Sequence, residues 1–150
     1  MDVTIRPLMP HEAHAMSTLA NEFYAEGDLP GMLDEQRFLS IWEMWLSQGS
    51  GLVIGAWHGE QLVGAIGGLF SFSPMTGDLE LNEMFWFVGR EARKAGVGLD
   101  LLDRFEQEAR GHQADRVTMV HLANGVGQKV GELLKGRGYA PLEVHYRLEL

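Results

Sequence analysis

Six consecutive residues, Arg93-Lys94-Ala95-Gly96-Val97-Gly98, carry the clearest chemistry in this sequence. They follow an aromatic, strand-like run from Met84 to Val88 and open a helix-like run from Leu99 to Arg110. A strand that stops at a glycine-rich loop and feeds straight into a helix leaves several backbone N–H groups pointing one way. The first amides of a helix lack intrahelical partners and carry partial positive charge, so such a place attracts phosphate. Gly96 and Gly98 have no Cβ, which lets a ligand approach the backbone. Arg93 and Lys94 add longer-range attraction for an anion.

Other polar clusters are less telling. His11-x-x-His14 with Glu12 puts two imidazoles on one helix face, but no third ligand is evident and no metal is expected. His121, near the end of a strand-like run, is a conceivable base and equally a satisfied strand histidine. No lysine follows the second glycine of the loop, which argues against a nucleotide-binding P-loop.

The chain must position these groups with 150 residues, which predicts one domain over 1–150. A chain of this size buries roughly 68–70% of its unfolded surface and needs no staple. There is no cysteine, so disulfides, thiolate metal sites and a covalent cysteine acyl-enzyme are excluded. No signal peptide is read at Met1-Asp2-Val3-Thr4-Ile5-Arg6, and no apolar stretch is long enough for a membrane span. A cytoplasmic protein without membrane contact is the expectation. Net charge is −9, and residues 1–88 hold only Arg6 and Arg37 against twelve carboxylates. Such a surface repels nucleic acid and suits cationic partners.

Hydrophobic periodicity supplies the frame. Val3 to Arg6 reads as a first strand, and His11 to Glu26 as a helix. Gly27-Asp28-Leu29-Pro30-Gly31 breaks the chain, and Asp34 can cap a second helix carrying Phe38, Trp42 and Trp45. Leu52–Trp57 and Leu62–Phe70 form a hairpin pattern, and Leu79–Val88 is a fourth strand. A helical stripe of Val97, Leu101, Leu102, Phe105 and Ala109 follows. Arg116–Leu122 alternates as a fifth strand, Val126–Lys135 is helical, and Val144–Leu150 alternates as a last strand. Strands joined by short turns pair antiparallel, and strands joined through a helix can pair parallel. The expected fold is α/β (α+β): a mixed, mostly antiparallel sheet with helices on both faces.

This order, with Arg93-x-x-Gly96-x-Gly98 after the fourth strand and Gly136-Arg137-Gly138-Tyr139 downstream, resembles the GNAT superfamily of N-acetyltransferases. The resemblance covers nearly the whole chain and implies a sheet splayed between strands 4 and 5. It implies binding of acetyl-coenzyme A, or a related acyl-coenzyme A, in that splay. The pyrophosphate would sit on the amides of Lys94, Ala95, Gly96, Val97 and Gly98, helped by Arg93. The pantetheine arm would pair like an added strand with the edge at Phe87 and Val88. An N–H near Val88 would face the thioester carbonyl. A homodimer through a sheet edge fits domains of this kind.

Acyl transfer needs a neutral amine, and an alkylamine of pKa about 10.4 is mostly protonated near pH 7. A carboxylate or a histidine must take that proton, directly or through water. Glu83 is the first candidate and Glu80 the second. Strict alternation puts Glu80, Asn82, Met84 and Trp86 on one face and Leu81, Glu83, Phe85 and Phe87 on the other, and the bulge expected in this strand would scramble that parity locally. The family often protonates the departing thiolate with a tyrosine four residues before the Gly-Phe glycine. Here that position is Leu134, so Tyr139 or Tyr146 substitutes, or no acid is needed. The asparagine that usually precedes the last helix is also out of register: Gly127 occupies its place and Asn124 lies three residues early.

The two early helices line the acceptor pocket in the family. Phe23, Tyr24, Phe38, Trp42 and Trp45, with Glu22, Glu26, Asp28, Asp34 and Glu35 around them, suit an amine or a basic peptide. The leading expectation is therefore an N-acetyltransferase acting on an amine of a small molecule or peptide by direct attack in a ternary complex. The alternative is a non-catalytic module of the same fold that binds coenzyme A or a protein partner.

Overall fold

A computed structural model describes residues 1–27 and 29–150, so Asp28 lies outside the described residues. The chain divides into two compact units, Met1–Met119 and Val120–Leu150.

The first unit contains β1 (Thr4–Pro7), a 3-10 helix (Pro10–Met16), α1 (Ser17–Glu26), α2 (Glu35–Gln48), β2 (Gly51–His58), β3 (Gln61–Phe72), β4 (Leu79–Val88), a second 3-10 turn (Arg90–Ala95), α3 (Val97–Gly111) and β5 (Arg116–Thr118). The strands lie in the order β1-β2-β3-β4-β5. All neighbours pair antiparallel except β4 and β5, which run parallel after the α3 crossover. The mixed sheet expected from the sequence is therefore present.

Side-chain alternation gives each face of the sheet its own core. On one face Val53, Trp57 and Ala65 pack with Met16, Leu19 and Trp42 from the first helices. On the other, Val97, Leu101, Leu102 and Phe105 of α3 are fully buried. Their spacing is the apolar stripe of an amphipathic helix. Leu101 Cδ1 and Phe105 Cζ lie against Gly64 and Gly68 of β3, which shows which face α3 covers. The Asp34 carboxylate caps α2 by accepting from the Arg37 N–H at 3.1 Å.

Three elements differ from the sequence reading in this unit. The helical run beginning at His11 starts as a 3-10 helix and becomes α-helical only at Ser17. The fifth strand is three residues long rather than seven, because its ladder with β4 stops at Asn82 opposite Thr118. The passage from β4 to α3 is not direct, since the Arg90–Ala95 turn intervenes.

The second unit holds α4 (Gly125–Gly136). Asn124 is its N-cap, and its side chain accepts from the Gly127 N–H at 2.8 Å. The asparagine judged out of register is thus the residue that starts the helix. Val144–Leu150 is not a strand. Its alternation is real, but Val144, Tyr146, Leu148 and Leu150 are all exposed. Alternation marks a capacity to pair, and a strand exists only with a ladder partner. Among the described residues no helix is long and apolar enough to cross a membrane.

Candidate active site

β4 organises the site, and a bulge divides it. Phe85 pairs with Gly67 and Glu83 with Gly68, so Met84 is the extra residue. The bulge resets the alternation. Phe85 and Phe87 face the α1/α2 side opposite Gly67 and Ala65, while Trp86 and Val88 face α3. Below the bulge, Leu81 shares the α3 face, and Glu83 shares it too through its register partner Gly68. Glu83 therefore does not share a face with Phe85 and Phe87, as strict alternation had it. It is buried at 6% exposure, and no other charged residue among those described is buried.

Beyond Asn82, β4 has no strand partner on its β5 side. The Gly89 N–H is spent on the Val63 carbonyl at 2.9 Å. Antiparallel alternation then turns the backbone groups of Trp86 and Val88 to the open edge. There the Arg93 Nε donates to the Val88 carbonyl at 2.9 Å. The same guanidinium sits 5.3 Å from the centre of the Phe87 ring and donates to the Glu26 carboxylate. The Phe87 backbone faces Ala65 of β3, and its ring lies on the α1/α2 side.

The turn after β4 ends at Gly96, whose φ of 75° is left-handed and favours glycine. A Cβ there would meet nothing within 4 Å, so the approach is open. The Leu99 and Asp100 N–H groups both turn back to the Gly96 carbonyl, at 3.1 and 3.3 Å. The N–H groups of Gly96, Val97 and Gly98 have no acceptor among the described residues. Three consecutive donors at a helix N-terminus form an anion cradle. Lys94 and Ala95 belong to the 3-10 turn, where amides are drawn into i→i+3 bonds. The open donors therefore begin at Gly96.

On the other face lies a cavity of about 290 Å³ between α1, α2, β3 and β4. Phe23, Phe38, Trp42, Trp45, Phe85 and Phe87 line it. Trp42 stands edge-on to both Trp45 and Phe85, with ring centres 5.1 Å apart in each pair. The sequence located its helical aromatics. It did not show that Met84 is the bulged residue, which turns Glu83 off the face that Phe85 and Phe87 share. The glycine pair in mid-strand at Gly67-Gly68 was the available signal.

The carboxylates near this face are engaged. Glu26 holds Arg90 at 2.5 Å as well as Arg93, and these hydrogen bonds, Arg93 first, keep its carboxyl below the usual range. Glu22 accepts from the Arg90 N–H at 3.1 Å. Glu35 accepts from Ser17 and, at 3.0 Å, from Asn21. Glu80 is bound by Arg116 at 3.0 Å. Glu12, read beside His11 and His14, serves Arg6 instead, at 2.8 Å, and that bond pulls its pKa down to about 2. No group of three or more metal-ligating side chains occurs among the described residues.

In the second unit Leu134 is buried, and its carbonyl accepts from the Tyr139 N–H at 3.0 Å. Tyr146 is 94% exposed. His121 Nδ1 lies 3.0 Å from the Leu122 carbonyl.

A family model described as "Acetyltransferase (GNAT) family" matches residues 13–139. The chain belongs to that family. GNAT enzymes are acetyl-coenzyme A-dependent N-acetyltransferases, and this chain is one of them. No curated protein matches it by sequence. Among solved structures it is similar to a predicted acetyltransferase with acetyl-CoA from Clostridium acetobutylicum. That match has TM-score 0.79 and 16% identity, covering 99% of this chain and 96% of the other. An aminoglycoside acetyltransferase from an uncultured soil metagenomic sample gives TM-score 0.79 and 15% identity, covering 100% and 99%. A ribosomal-protein-alanine N-acetyltransferase from Brucella melitensis biovar Abortus 2308 gives 0.73 and 18%, covering 99% and 100%. At such identities the likeness is one of fold, and the GNAT acceptor must be argued from this chain's own side chains.

Proposed function

We propose that this chain transfers the acetyl group of acetyl-coenzyme A to a primary amine of a small molecule or peptide, by direct attack while both substrates are bound. The observation that carries the reading is the run of open amides at Gly96, Val97 and Gly98 beside the unpaired edge of β4. The donor supplies a thioester carbonyl and a thiolate leaving group. The chain's residues do the rest. The three amides hold the pyrophosphate, and Arg93 and Lys94 add charge. The Trp86 and Val88 backbone groups take the pantetheine arm as an added strand, once Arg93 leaves the Val88 carbonyl. The Val88 N–H stabilises charge developing on the thioester oxygen.

Glu83 is the proposed base. A buried carboxylate beside a bulge is costly to keep and belongs where strands are re-aimed for function. It takes the amine proton through water. Glu80 is the weaker candidate because it lies three residues farther from Val88 along β4. Leu134 offers no proton to the thiolate, which leaves unassisted at a thiol pKa near about 8.5, or with Tyr139 as donor.

The test is Glu83→Gln in steady-state thiol release with saturating amine. General-base loss lowers kcat by about 10²–10³-fold. Coenzyme A affinity by calorimetry stays within about twofold. A variant that turns over at the wild-type rate removes Glu83 from this role.

A further inference from the structure

We propose that the acceptor amine is carried on an uncharged, ring-bearing body of about the size of one or two fused aromatic rings, and that polycationic amines are poor acceptors. The proposal rests on the reading of the open β4 edge as the seat of the acyl donor, and it names the acceptor class for that same site.

The cavity on the α1/α2 face argues for it in three ways. Among the described residues its lining contains no carboxylate, and Tyr24 is the only titratable member. Of the five acidic residues that the sequence suggested for its mouth, Asp28 lies outside the described residues and the other four are engaged: Glu22 with the Arg90 N–H, Glu26 with Arg90 and Arg93, Asp34 with the Arg37 N–H, Glu35 with Ser17 and Asn21. A polyamine or aminoglycoside brings several ammonium groups, and each one buried without a carboxylate loses its hydration uncompensated. A single amine escapes this cost, because it must shed its proton before attacking in any case.

The second argument is size. At about 290 Å³ the cavity lies at the lower edge of the 300–1,000 Å³ typical for drug-sized ligands. It fits one compact ring system and not a chain of sugars. The third is direction. The cavity wall runs along β4 from Phe85 to Phe87, and the next residue is Val88, whose backbone faces the open edge. A ring seated among Phe38, Trp42 and Phe85 gains apolar and edge-to-face contacts. Its short aminoalkyl arm then points along β4 toward the thioester.

The experiment is thiol release by the wild-type protein with acetyl-coenzyme A and a panel of amines. 2-Phenylethylamine and tryptamine are compared with spermidine and sisomicin. We expect kcat/KM for the aryl amines to exceed that for the polycations by about 100-fold, the discrimination that unpaired polar burial gives. Phe38→Ala should lower the aryl-amine value about tenfold. The control Phe72→Ala, at a position 71% exposed, should leave it unchanged. Equal or better turnover of spermidine or sisomicin overturns the proposal. So does octanoyl-coenzyme A outpacing acetyl-coenzyme A with the Phe38→Ala sensitivity moved to the donor, which would make the cavity an acyl-chain pocket. If calorimetry finds no binding of coenzyme A, the donor reading falls and this one with it. Normal coenzyme A binding without aryl-amine preference sinks the acceptor class alone.

Discussion

The two sides of β4 solve recognition in opposite ways. At its end the chain offers backbone: three amides at Gly96, Val97 and Gly98, with open space at the Cβ position of Gly96. On the α1/α2 face it offers side chains, chiefly seven aromatic rings from three elements. In the proposed reading the backbone cradle recognises what every acyl-coenzyme A shares, the phosphates, and the ring-lined cavity recognises what differs between acceptors. Variation in the helical aromatics can therefore retune the acceptor without touching the donor site.

The most disruptive way to test this division is Gly96→Val. A β-branched residue at φ 75° is strained, and the turn must relax away from the geometry that aligns the amides. Losing one or two charge-assisted hydrogen bonds weakens coenzyme A binding by about 100-fold. The aromatic cavity is untouched, so binding of an aryl amine alone should not change. Calorimetry with each ligand separately checks both halves. Unchanged coenzyme A affinity would mean that the cradle is not where the phosphates bind.

The same division explains how much of the molecule could be read from its residues. The cradle is local. Gly96 and Gly98 lie within three residues of each other after an aromatic strand, so spacing alone located it. What spacing missed was the intervening 3-10 turn, which uses the earlier amides and moves the open donors toward Gly96. The cavity is not local. It needs α1, α2 and β4 together, and its floor depends on Met84 being unpaired. Period-2 counting put Glu83 with Phe85, and one bulged residue reversed that. The pairing of the acidic residues was hidden for a related reason. Glu26 and its partners Arg90 and Arg93 are more than sixty residues apart in sequence, so no local reading could pair them. The alternating tail from Val144 taught the reverse lesson, since a pattern without a ladder partner is not yet a strand.

A moderate perturbation sits under the cavity itself. In Gly67→Ala the added methyl would collide with the Phe85 ring. The ring must move, and it packs against Trp42 and Phe38. Overpacking of this kind costs about 1–3 kcal/mol. In a chain of this length that lowers Tm by about 3–10 °C. KM for an aryl amine should rise while coenzyme A affinity holds. A variant that loses coenzyme A affinity and keeps its amine KM would show that the two sides of β4 are not separable.

The smallest expected effect concerns the link between the two regions. Glu26 of α1 holds Arg90 and Arg93 of the turn. These arginines are the same charges that a diphosphate would recruit, so the carboxylate competes with the ligand. Exposed pairs of this sort are worth about 0–1 kcal/mol. Glu26→Gln should therefore tighten coenzyme A binding by at most about fivefold. The sign with pH follows from the carboxyl, which Arg93 and then Arg90 hold below the ordinary carboxylate range. A carboxylate depressed in the folded state contributes its stability above the unfolded pKa and loses it as pH falls through the folded one. The difference in affinity between wild type and variant should thus be flat from about pH 5.5 to 8. It should shrink only in acid, where protonated Glu26 releases both arginines. Looser binding in the glutamine variant would reverse the picture, making Glu26 the residue that holds the arginines ready for the ligand.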